Sequence, residues 1–532
     1  MRRILGVAVV GAMATLLAAC AGSGGGSATT TSSQKLVNGK TFTMVLSSDP
    51  GSLDPDFTSL SNALQLDDFM YDSLVNIAPD GSLTAGLAAR WSGTTTSATF
   101  TLRHGITCSD GTKLTASDVA ANFNFVANPK NDSNWISVYV PPDAVATADN
   151  SAGTVAVSSK VPDPFLVQDL GSLPIVCPKG MADRSLLREA GDGTGMFTMT
   201  QAIPGSQYTL TRRKDYAWGP GNWKVSQPGL PDKVVVKVVS DMTTSANLLL
   251  AGEVNAAAVI GPDAQRVQAR HLFERTLVAP LGELWYNQKA GLPGADEAVR
   301  VALTQALDLS ELGQVVTSGS GTPATGLVEP GHSPCRQNTV ASNLPSHNLA
   351  AAKAALNAAG WKVGPGGIRT KGGKKLSIDF YYAPSLGDGM QAGAELVQKI
   401  WASIGVQVTL STATQADLSQ VLFSGTTPWG AAIIPLGVPL PSNLVGFLSG
   451  PTPPKGTDFA SISNASYDSD VTAASSIAGS GGCSKWDAAE MALFKQADVV
   501  PFVDSAIPVF GTGTTFQLSN GDVVPSSIRM VG

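Results

Sequence analysis

From Thr41 onward the apolar positions switch repeatedly between a period of two and helical spacing, and each switch marks a new element. Thr41 to Ser47 alternates through Phe42, Met44 and Leu46 and predicts a strand that ends at Asp49-Pro50. Asn62 to Leu74 repeats Leu64, Leu66, Phe69 and Met70 at helical intervals. Phe100, Leu102, Ile106 and Leu114 form short runs around Asp110-Gly111, which predicts two brief strands about a tight reversal. A helix follows, capped by Thr115 with Asp118 at its third position and with Val119, Phe123 and Val126 inward.

The same logic extends along the chain. Strands are predicted at Thr154 to Ser158, at the β-branched run Val234 to Val239, at Leu284 to Asn287, at Leu376 to Tyr382 and at Val406 to Leu410. Helices are predicted at Ala246 to Gly252, at Asp296 to Leu307 with Val299, Leu303 and Ala306 inward, at Asn348 to Trp361 and at Gln391 to Ile404. Gly360 suits a left-handed stop. Trp91 reads as a packing residue between strands. Gly193-Thr194-Gly195-Met196 lacks the third glycine of a dinucleotide loop and reads as a bend that uses glycine's backbone freedom.

Composition narrows the class. At 532 residues, with net charge −6 and no basic stripe, the chain has room for two or more domain-sized units and no electrostatic footprint for nucleic acid. Arg2 and Arg3 precede the apolar run Ile4 to Ala19, shorter than the roughly 20 residues a spanning helix needs, so residues 1–19 read as a signal peptide. Leu17-Ala18-Ala19-Cys20 matches a lipoprotein cleavage box, with acyl chains on Cys20 as the membrane anchor. Within a lipidated tether over residues 20–40, Ala21 to Gln34 is rich in Gly, Ser and Thr with almost no large apolar side chain and reads as a flexible leash with a reach of about 20 Å.

Cys108, Cys177, Cys335 and Cys483 remain, and four cysteines allow three pairings. In an oxidising extracytoplasmic setting two disulfides are expected, with Cys108–Cys177 and Cys335–Cys483 preferred because each stays within one half of the chain. A metal cluster is disfavoured. There is no Cys-x-x-Cys, and His104, His271, His332 and His347 are scattered, so no cofactor and no metal are expected.

Ordered motifs then carry a resemblance to a known family. Phe100, Leu102-Arg103, Gly105, Asp110-Gly111-Thr112, Leu114-Thr115-Ala116 and Asp118-Val119 resemble the signature of the peptide/nickel (family 5) solute-binding proteins of ABC importers. Leu53-Asp54-Pro55, Tyr71-Asp72-Ser73-Leu74-Val75, Leu87-Ala88 with Trp91, Pro164-Phe165, Gly252-Glu253-Val254 and Gly360-Trp361 add further matches in the same order. The resemblance implies an α/β, two-lobed periplasmic-binding-protein-like fold with an extra subdomain in the first lobe and a hinge between lobes. It implies a first lobe over residues 41–285 with the insertion at about 86–195, a second lobe over 286–505 and a C-terminal return over 506–532. It further implies a monomeric, extracytoplasmic receptor on the outer face of the cell membrane that takes a peptide or peptide-like ligand and delivers it to permease subunits.

The family's peptide binders place an Asp three residues after a Trp, where its carboxylate pairs with the ligand's amino group. Thr427-Pro428-Trp429-Gly430-Ala431-Ala432 supplies Trp429 but has Ala432 in that place. A buried ammonium without a partner is unfavourable by several kcal/mol. The uncharged, Pro-rich run Ile433 to Pro441 reads as an apolar wall for a large, weakly charged ligand, with Trp429 either stacking on it or packing in the core. Asn287, Asp54 and Tyr382 complete the candidate contacts. The rival classes are an extracellular lipoprotein hydrolase, for which no Gly-x-Ser-x-Gly elbow is present, and a sensor that binds without transport.

Overall fold

The computed structural model describes residues 35–532 apart from residues 59, 79, 189, 222, 224, 332, 388, 425–427 and 520. The signal peptide, Cys20, the start of the tether, His332 and Thr427 lie outside the described residues.

Two long antiparallel strands, Phe273–Tyr286 and Val499–Gly511, run through the middle of a sheet that counts ten strands among the described residues. On one side Val499–Gly511 pairs with Ala256–Ala258, and the sheet continues through Thr41–Leu46, Lys233–Val238, Gln207–Arg212 and Phe197–Ile203. On the other side the last residues of Phe273–Tyr286 pair with Ala431–Ile433, followed by Ser377–Tyr382 and Gln407–Thr412. The crossing pair slips register at Pro280, Gly282 and Glu283. Proline offers no ladder N–H. A Cβ on Gly282 would stand 2.5 Å from the Phe502 ring, so only glycine fits there.

Each side builds its own core, because a sheet face must be covered by apolar side chains. One core gathers Phe42, Leu66, Phe69, Phe100, Phe123, Phe197 and Val234, and includes Phe516, Ile528 and Met530 from the end of the chain. A second gathers Leu284, Tyr286, Leu303, Phe380 and Trp401. There the parallel strands Ser377–Tyr382 and Gln407–Thr412 are joined by the helix Met390–Ser403, which buries Met390, Ala394, Val397 and Trp401. A third core holds Trp285, Trp429, Phe459, Trp486 and Phe494.

The insertion into the first side is a four-stranded antiparallel sheet of Ala88–Gly93, Ser97–Leu102, Thr154–Ser158 and Val145–Asp149, with the helix Ala116–Ala127 packed on it. The expected capping box is present: Thr115 accepts from the Asp118 N–H and Asp118 accepts from the Thr115 N–H. Val119, Phe123 and Val126 are buried. The reversal at Asp110-Gly111 is held by a single bridge, Thr107 to Lys113, rather than by two strands. Disulfides join Cys108 to Cys177 and Cys335 to Cys483.

Two readings are corrected. The first helix is Ser61–Met70 and stops four residues short of Leu74. Tyr71 is extended, and Asp72 turns inward to accept hydrogen bonds from Tyr216 Oη, Trp218 Nε1 and Thr194 Oγ1 at 2.8, 3.0 and 2.9 Å. Gly193 and Gly195 are not bends using left-handed backbone. A Cβ on either would lie 2.3–2.5 Å from Met70 or Tyr71, so close packing requires them.

Buried charge shapes the stability. Arg300 Nη2 donates to Asp498 Oδ1 at 2.7 Å with both side chains buried, and Asn464 Nδ2 donates to the other Asp498 oxygen at 2.8 Å. Breaking such a pair leaves an uncompensated buried charge. Asp498→Ala is therefore expected to lower the unfolding free energy by about 3–5 kcal/mol, whereas Lys371→Ala, at the exposed Lys371–Asp296 pair, should change it by less than about 1 kcal/mol. Denaturant titration checks both, and equal effects would contradict the assignment.

Burial also pushes the carboxyl groups of Asp56, Asp458 and Asp504 up to about 6 and that of Glu490 to about 7. The folded protein thus keeps protons that the unfolded chain releases above its ordinary carboxylate range, so the folded state binds more protons between about pH 4 and pH 7. Stability should fall as pH rises through that window. The thermal midpoint is expected to be higher at about pH 5 than at about pH 8, and a rising or flat profile would contradict the buried acids.

Candidate functional site

The candidate contacts from the sequence fall in two places. Asn287, Trp429, Ala432 and Tyr382 all belong to the second half of the sheet, where Asn287 Nδ2 donates to the Trp429 carbonyl at 3.1 Å and Ala432 lies opposite Trp285 and Tyr381, while Tyr382 packs in the second core, apart from Trp429 and Ala432 in the third. All four are buried. Trp429 is 3% exposed, with its ring 6.1 Å from Phe459 inside the third core. Its indole fills core and offers no open stacking face, and truncating it would leave a cavity of the kind that destabilises by about 3–5 kcal/mol. The Pro-rich run is apolar for a related reason. Ile433, Ile434 and Leu440 are buried in the cores, and partial surface is left mainly at Pro435 to Pro439.

Asp54 sits on the other side. Arg184 donates to both of its oxygens and lies 2.8 Å from Asp56, while its guanidinium covers the rings of Phe125 and Phe57 at 4.7 and 5.4 Å. Planar cations suit such combined pairing and stacking. Asp54 is thereby committed to fixing its loop. Trp135 closes the same corner, donating its indole N–H to the Pro55 carbonyl at 2.5 Å, and its ring stacks on Tyr139 at 4.7 Å.

Tyr139 marks where the two sides face one another. Burial raises its phenol above the usual range, and so do the carboxylates of Asp169 and Asp68 from the first side and Glu329 from the second. The sides also touch directly: the Gly479 N–H donates to the Pro164 carbonyl at 2.7 Å, and Phe165 lies 6.2 Å from Trp486. The loop carrying Glu329 is held by its own N–H to the Val438 carbonyl at 2.9 Å and lines a cavity of about 130 Å³ with Arg336, Trp486 and Glu490. At the crossing strands Glu283 is buried, accepts from Trp285 Nε1 and the Leu436 N–H at 3.3 and 3.1 Å, and is pushed well above the carboxylate range by burial.

Sequence reasoning missed this acidic and aromatic lining. Tyr139 and Glu329 sit in loops with no periodic signal. Asp68 is one polar position on a helix face, although two successive carboxylates in an otherwise uncharged helix are a usable sign. The arrangement holds surfaces opposite one another across a pair of crossing strands, the geometry for enclosing a solute.

Comparison with known proteins agrees with this architecture. Residues 82–452 match the family model described as bacterial extracellular solute-binding proteins, family 5 Middle. Protein XP55 of Streptomyces lividans is 30% identical over 335 residues, covering 59% of this chain and 56% of its own length. The oligopeptide-binding protein OppA of Lactococcus lactis subsp. cremoris is 24% identical over 384 residues, covering 63% and 61%. The chain therefore spans somewhat more than half the length of these curated relatives. The crystal structure of the ABC transporter substrate-binding protein CtaP of Listeria monocytogenes superposes with a TM-score of 0.76 at 18% identity, over 92% of this chain and 99% of that one. Two lobes joined by crossing strands, with a family match across most of the described residues, lead to one statement: the chain belongs to family 5 of the bacterial extracellular solute-binding proteins.

Proposed function

We propose that this protein captures a peptide or peptide-like solute between its lobes and hands it, chemically unchanged, to the permease of an ABC importer. The observation that supports this most is the pairing of Phe273–Tyr286 with Val499–Gly511, whose register slips at Pro280 to Glu283, between two separately cored sides. Such a pair can flex at the slip while each core stays rigid, the arrangement of a hinged clamp. Residues 41–285, with an insertion at about 86–195, would move against residues 286–505, and residues 506–532 would stay with the first lobe. The family match and the name of the Lactococcus relative, an oligopeptide-binding protein, support the ligand class.

Capture works by population shift: a ligand that contacts both lobes stabilises the closed state. Cys20, outside the described residues, would carry the lipid that holds the receptor at the outer face of the membrane. Capture without turnover predicts that a peptide pool raises the thermal midpoint and is recovered intact by mass spectrometry. At about a hundredfold excess over Kd the stabilisation is about 2.7 kcal/mol. Recovery of cleaved products would favour a hydrolase instead. Cys20→Ser is expected to move the full chain from the membrane fraction to the soluble one, and retention in the membrane would contradict lipid anchoring.

A further inference from the structure

The helix Ser61–Met70 carries successive carboxylates with different surroundings. Asp67 is 3% exposed and neither of its oxygens has a hydrogen-bond partner. Asp68 occupies an exposed position. One turn earlier, Gln65 exchanges two hydrogen bonds with Val523: Nε2 donates to the carbonyl at 3.2 Å and Oε1 accepts from the N–H at 2.7 Å. These bonds pin the C-terminal hairpin to the helix. They set Asp522, the residue before Val523, beside the turn that carries Asp67 and Asp68.

The electrostatics follow the same geometry. Burial, then the charge of Asp68, lifts Asp522 well above the carboxylate range. Burial, then Asp68, Asp54, Asp522 and Asp56, does the same to Asp67. Although its own side chain is exposed, the protein crowded around Asp68, and then the charge of Asp72, push its carboxyl up to about 7. Arg184 is already committed to Asp54 and Asp56. Among the described residues no Lys or Arg forms an ion pair with Asp67, Asp68 or Asp522.

Carboxyl groups crowded in this way either hold protons or receive a cation from outside. The Asp68 charge also reaches the phenol of Tyr139, whose ring is braced by Trp135. Carboxylates beside an aromatic face make the surroundings that ammonium and guanidinium groups prefer.

We propose that the captured solute is cationic, and that Asp68 and Asp522 receive its ammonium or guanidinium group, with Tyr139 alongside. This rests on the capture reading above and adds the charge class of the solute. It also replaces the weakly charged ligand expected from the Pro-rich run, because Ile433, Ile434 and Leu440 of that run are spent on the protein's own cores.

Calorimetric titration of the full chain with tri-lysine, tri-alanine and tri-glutamate tests the proposal. Tri-lysine is expected to bind at least about tenfold more tightly than the other two. Asp68→Asn and Asp522→Asn should each remove that preference while leaving the thermal midpoint of the unliganded protein unchanged or raised. Should either variant misfold, the tri-lysine preference of the unaltered protein must still weaken with added salt. Equal or tighter binding of tri-alanine or tri-glutamate would overturn the cationic assignment and leave peptide capture standing. A preference that survives both substitutions would overturn the role of these two carboxylates. Absence of binding by all three peptides would overturn this inference and the peptide reading together.

Discussion

The architecture depends on the hydrogen-bonded pairing of Phe273–Tyr286 with Val499–Gly511. A chain that crosses between two separately cored bodies exposes backbone donors and acceptors wherever it crosses, and leaving them unpaired in a partly buried place costs free energy. Pairing the two crossings with each other satisfies those groups. The sheet can then continue outward on both sides without a break in its ladder. Between the crossing strands the ladder slips at Pro280 to Glu283, and there Gly282 lets the Phe502 ring lie against the backbone. Rigidity on either side and a local irregularity between them follow from one arrangement.

A second constraint is the distribution of charge. The chain is modestly acidic, and many of its carboxyl groups are buried where burial outweighs their partners. Some are structural. Asp72 gathers Tyr216, Trp218 and Thr194 behind the first helix, and Asp498 holds Arg300 and Asn464. Others gather where Ser61–Met70 meets the C-terminal hairpin, with the Asp68 charge reaching Tyr139. Structural acids have partners within the protein, whereas Asp67, Asp68 and Asp522 have no cation of their own among the described residues, and that difference links electrostatics to the choice of solute.

Much of the fold was legible because periodicity reports burial. The capping box at Thr115 and Asp118, the alternation at Thr41 to Ser47 and the glycine stop at Gly360 are local physics, and the structure repeats them. Departures came where tertiary partners decide. Nothing local ends the first helix at Met70; the pull of Tyr216 and Trp218 on Asp72 does, from about 145 residues away. Gly193 and Gly195 are small because Met70 and Tyr71 press against them. Candidate contacts were harder to read for the same reason. Trp429, Ala432 and Asp54 were chosen by motif, yet the first two pack in the cores and the third is bound by Arg184. Asp68 and Asp522 become neighbours only once the C-terminal hairpin has returned to the first helix.

The most direct test of a hinged clamp is the distance between lobes, measured by pulsed electron resonance with spin labels at Lys160→Cys and Ser480→Cys, both exposed positions near the contact of Pro164 with Gly479. Protein stripped of co-purifying solute is expected to show a broad or longer distribution, and restoring the solute should collapse it to one short distance. A single distance, identical with and without solute, would contradict the account.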